Sequence, residues 1–170
     1  MNEFPTIAAA DITDYPWRVP ALENLVWGVV MTLGAAILWG LHPALAIAYL
    51  AWSLLALYVL VPRLVCTACA YYGRTCHSGQ GRLAARLGPR RDPAAFAARF
   101  RHVRLVGPVF TLPLLAGLVA LPLHFGWTLA LLTAAFGMVA LGLTRVVTRR
   151  LGCARCAQRD GCPACGRRRR

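Results

Sequence analysis

Four uninterrupted apolar runs decide what this chain can fold into: residues 22–41, 43–61, 105–121 and 125–144. Apart from Glu23 at the start of the first, none contains an acidic or basic residue. Each is close to the roughly 20 residues that a helix needs to cross hydrocarbon. Apolar residues make up 58% of the chain, more than the half or so usual in a soluble domain, and the excess is concentrated in these runs. The expected fold is an all-α integral membrane protein with four transmembrane helices. The turns around His42 and His124 are too short for anything but two antiparallel hairpins, 21–62 and 105–145. That leaves an N-terminal segment 1–20, a loop 63–104 rich in cysteine and arginine, and a tail 146–170 with four cysteines and many arginines.

Charge sets the expected orientation. The formal net charge of +13 rests on arginine alone, since the chain has no lysine. Nine arginines lie between Arg63 and Arg104 and nine more between Arg145 and Arg170. Short basic loops stay in the cytoplasm, so the loop and both termini are expected there, with the His42 and His124 turns on the opposite face. Arginines flanking membrane segments meet anionic lipid headgroups. Headgroups, rather than nucleic acid, are therefore the expected partner, and the run from Arg167 to Arg170 reads as an anchor.

The N-terminal segment, with Pro5, Pro16 and Pro20, reads as irregular chain along the inner surface, with Tyr15 and Trp17 at headgroup depth. It has no basic start or cleavage site of a signal peptide. Asp92-Pro93 is a helix start, followed either by a short amphipathic helix in the interface or by an extension of the third span. The two halves share a plan: PRLVCTAC from Pro62 parallels RRLGCARC from Arg149, an internal repeat of parallel type.

The cysteines carry the chemistry. A turn of two residues between two cysteines directs both sulfurs to one side, and two such pairs complete a tetrahedral zinc shell. The tail offers Cys153, Cys156, Cys162 and Cys165, with Gly161, Pro163 and Gly166 for tight turns. The loop offers Cys66, Cys69 and Cys76, with His77 as the nearest fourth ligand and His102 or a tail thiol as substitutes. Seven cysteines and one histidine fill two shells. An iron-sulfur cluster is the alternative cofactor, although the ferredoxin spacing is missing. A reducing cytoplasm disfavours stable disulfides. Tyr71 and Tyr72 between the thiols read as an interfacial aromatic pair, with Gly73 ending a helix.

No acidic residue is placed deep in a span, and no nucleophile elbow, phosphate loop or HExxH pattern occurs. A binding protein is thus expected rather than an enzyme. Its expected function is to bind zinc or another thiophilic metal through two cytoplasmic cysteine modules, in a structural role or as a docking surface for a protein partner. A membrane redox component and a soft-metal transporter, with His42 and His124 as entry ligands, are the alternatives. With reversed topology the plan would resemble the four-helix membrane enzymes that form disulfides and pass electrons to quinone.

Overall fold

The structure, a computed structural model, describes residues 12–123, 126–159 and 162–165. The stretch before Ile12, His124, Gly161, Gly166 and the Arg167–Arg170 run lie outside the described residues. Among those described, every regular element is helical: α1 (Arg18–Leu41), α2 (Pro43–Ala68), α3 (Gln80–Leu87), α4 (Pro93–Leu123) and α5 (Trp127–Arg155). All but α3 are long and apolar enough to cross a membrane. A single extended residue, His42, separates α1 from α2. Its Nδ1 accepts the Ala44 N–H at 3.2 Å, and Pro43 occupies the first helical position, where a missing N–H costs nothing.

Helix α1 is the hub, packing on α2, α4 and α5. Val30 and Ile37 of α1, Tyr49 of α2, Val109 of α4 and Phe136 of α5 form the sealed centre. Gly34 permits a close approach, because a Cβ there would lie 2.9 Å from Pro113 Cγ and overlap the Tyr49 ring. Facing outward, Leu25, Ile47, Leu118 and Leu131 are each more than half exposed. An apolar surface on that scale suits lipid, not water.

Two prolines shape the connections between helices. Pro113 has no N–H for the carbonyl four residues back, and in an apolar bundle an orphaned carbonyl must find another donor. The Tyr49 hydroxyl donates to Val109 O at 3.1 Å. In α2 the Val61 N–H bonds to Ala56 O in π-helical register, and Pro62 has nothing to offer Leu57 O. Gln80 Nε2 donates to that carbonyl at 3.0 Å. The same side chain therefore pins the start of α3 to α2.

Two expectations change here. Helix α1 begins at Arg18, so Glu23 lies more than a turn inside a membrane-length helix, buried, with Oε1 accepting the Thr148 hydroxyl at 3.0 Å. An acidic side chain therefore does occur within a span. Of the two readings for the segment after Asp92, the extension fits: Asp92 Oδ1 caps the Ala94 N–H at 2.9 Å, and α4 runs on continuously to Leu123.

Replacing Tyr49 by Phe leaves Val109 O without a donor and should lower stability by about 1 kcal/mol. Thermal unfolding in detergent measures the loss.

Candidate thiol site

Cys66 and Cys153 sit at equivalent places, each opening a 3-10 turn that ends a membrane-length helix: Cys66–Ala68 on α2 and Cys153–Arg155 on α5. The Cys69 N–H returns to Cys66 O at 3.1 Å and the Cys156 N–H to Cys153 O at 3.4 Å, after which both second cysteines are extended. Cys162 and Cys165 repeat the turn, with Cys165 N–H to Cys162 O at 3.0 Å. Each CxxC thus folds as a tight turn closed by a backbone hydrogen bond.

The modules, more than 80 residues apart in sequence, are docked on one another. Gln158 Oε1 accepts both the Cys69 thiol at 3.3 Å and the Ala70 N–H at 3.1 Å. The Tyr71 hydroxyl donates to Arg155 O at 3.4 Å and accepts the Ala157 N–H at 3.1 Å. Tyr15 closes the third side. Its hydroxyl donates to Gly152 O at 2.7 Å, and its ring lies 5.6 Å from that of Tyr71. Ion pairing and backbone bonds hold this strap: Arg74 Nη1 to Ile12 O at 2.6 Å, Tyr15 N–H to Thr75 O at 3.0 Å, and Arg82 to Asp14 at 3.9 Å.

Tyr15 and Tyr71 are therefore buried within the protein and not presented to its surroundings as an interfacial pair would be. From the sequence both tyrosines read only as interfacial aromatics, and neither Gln80 nor Gln158 stands out. The only signal for Gln80 is Pro62, which implies a carbonyl in need of a donor.

The predicted ligands fall out as follows. Cys69 belongs to both apolar clusters: it shares one with Cys66, Cys162 and Cys165 and the other with Cys76 and Cys156. Cys69, Cys76, Cys156 and Cys162 lie near enough for thiolate charge on one to disfavour it on another. Cys66 neighbours Cys69 and Cys76 in the same way, and its thiol donates to Gln80 Oε1 at 3.7 Å. His77 lies against Gly152, where a Cβ would come within 2.8 Å of its ring, and meets Tyr15 edge-on. Cys153 and Cys165 are joined as a disulfide with Cα atoms 5.5 Å apart, in contrast to the reduced thiols expected. Among the described residues no three His, Cys, Asp or Glu side chains converge as ligands of one ion.

Burial, reinforced by the neighbouring thiols against a backbone bond at Tyr71 that favours the anion, pushes the Cys69 thiol up to about 12. Burial also raises Cys156 and lowers His77. All three are held neutral. A cation among these sulfurs would reverse that preference, since a coordinating thiol is deprotonated outright. The donor set suits a thiophilic ion in its chemistry.

The chain matches no family model, and neither a curated protein nor a solved structure matches it.

The sign of the pH dependence follows from these shifts. The raised thiols stabilise the reduced, metal-free fold fully below the ordinary thiol pKa, and that contribution is lost as pH climbs beyond about 8.5. The lowered His77 stabilises above the ordinary imidazole pKa, and its contribution is lost as pH falls below about 6.5. Unfolding of reduced, metal-free protein across pH should show a plateau between those limits, and His77→Gln should flatten the acid side.

Proposed function

We propose that this chain crosses the membrane four times as two antiparallel hairpins, with both termini and both cysteine modules in the cytoplasm. We propose further that the modules hold zinc, or another thiophilic metal, in one shared thiol centre that fixes the helix ends and presents a docking surface. The orientation is supported by the arginine distribution alone. The centre draws its sulfurs from Cys69, Cys76, Cys156 and Cys162, with Cys66 and His77 as surrounding donors, joined by Cys153 and Cys165 once their disulfide is reduced. Zinc would supply positive charge and a closed tetrahedral anchor there.

A single observation carries this reading: two CxxC turns far apart in sequence meet through Gln158 and Tyr71. Separate sites would not require the modules to touch. A shared site does.

The test is metal content of the full chain, purified in detergent under reducing conditions. Zinc should be bound stoichiometrically without visible absorbance, and either Cys69→Ser or Cys156→Ser should remove most of it. Loss of only half of the metal in each variant would mean two independent sites. A membrane-impermeant maleimide should reach the metal-free thiols only from the side that carries the arginine-rich loop.

The Cys153–Cys165 disulfide supports a second reading, a membrane redox component whose thiols or cluster exchange electrons with quinone. Iron with labile sulfide, or a persistent disulfide in protein isolated from cells without added reductant, would favour it.

A further inference from the structure

Where α2 and α4 emerge at the arginine-rich end, an open cavity of about 430 Å³ lies between them, lined by Leu64, Ala95, Arg91, Arg99, Arg101 and His102. No described carboxylate compensates its charge. Among the described residues the one ion pair is Arg82 with Asp14, so no carboxylate answers Arg91, Arg99 or Arg101. Asp92, the only acidic residue between Arg63 and Arg104, already uses Oδ1 to cap the Ala94 N–H.

The cavity is also built rather than incidental. Arg99 Nη1 donates to Leu64 O at 3.1 Å, which takes up a carbonyl of the last α-helical turn of α2 and fixes the guanidinium against the wall. The Arg91 N–H is tied to Thr67 O at 2.8 Å, and His102 Nδ1 meets Arg99 O at 2.9 Å. The guanidiniums of Arg91 and Arg101 remain exposed and free to form the two-pronged contacts that a phosphate accepts.

Depth selects the ligand. The uncharged part of α4 begins at Leu105, three residues beyond His102 in a 3-10 stretch, Phe100–Val106. At about 2 Å per residue that places the cavity about 6 Å below the hydrocarbon edge. The headgroup layer on one side of a bilayer is about 5–8 Å deep. A phosphate at this level is already supplied by lipid.

We infer that this cavity binds the phosphate of an anionic membrane lipid, clamped between Arg91, Arg99 and Arg101. The assignment stands whether or not the thiols hold metal.

Fluorescently labelled phosphatidylglycerol titrated into the detergent-purified full chain provides the test. Saturable binding is expected, displaced by unlabelled phosphatidylglycerol but not by phosphatidylcholine or by millimolar inorganic phosphate. The exposed pair changed together, Arg91→Gln with Arg101→Gln, should weaken binding by roughly tenfold or more, given the worth of each headgroup-level arginine. A control pair on α3, Arg82→Gln with Arg86→Gln, should leave it nearly unchanged. Equal competition by phosphatidylcholine, displacement by inorganic phosphate, or full affinity in the Arg91/Arg101 variant would each overturn the assignment.

Discussion

A backbone carbonyl with no donor is expensive where water is absent, and the architecture of this chain is organised around meeting that demand. Pro113 and Pro62 remove two donors, and Tyr49 and Gln80 replace them. At the cysteine-bearing helix ends the same need recurs, where the last carbonyls of any helix lack intrahelical partners. Arg99 serves Leu64 O, Tyr15 serves Gly152 O and Tyr71 serves Arg155 O. Each of those donors comes from a different part of the chain. Capping the helices is therefore the same act as assembling the loop, the strap and the tail into one body.

Consequences for the sulfur chemistry follow. Because Tyr71 reaches from the loop module to the end of α5, and Gln158 reaches back to Cys69 and Ala70, the two CxxC turns are brought together by hydrogen bonds that involve no metal. Burial holds the Cys69 and Cys156 thiols neutral in that arrangement. On the proposed reading, metal capture by these thiols would be coupled to proton release. The carboxylate of Glu23, held by Thr148 a turn before Gly152, lies just beyond this assembly within the bundle.

Composition alone was enough to read the four membrane-length helices, because runs of leucine, valine and alanine without charge have few other ways to fold. Cap chemistry at Asp92-Pro93 and the turn at each CxxC were legible for a similar reason, since both are set by residues two or three positions apart. What escaped was long-range. Tyr15 and Tyr71 look like interfacial aromatics in isolation, and only the arrival of Gly152, Arg155 and Ala157 makes them buried links. Nor does spacing separate His77, which lies against Gly152, from Cys76, whose sulfur accepts the Gly81 N–H and lies near enough to Cys69 to disfavour its thiolate. Start points were also blurred: the irregular look of Pro16 and Pro20 concealed a helix that opens at Arg18 and carries Glu23 inward.

The contact between the two thiol modules is the point on which the account turns, and intramolecular cross-linking addresses it directly. In a chain whose other cysteines are replaced by serine, Cys69 and Cys156 should be joined within one molecule by a short bifunctional thiol reagent, in intact membranes and under reducing pretreatment. Failure to link, or links formed only between separate chains, would contradict the shared centre.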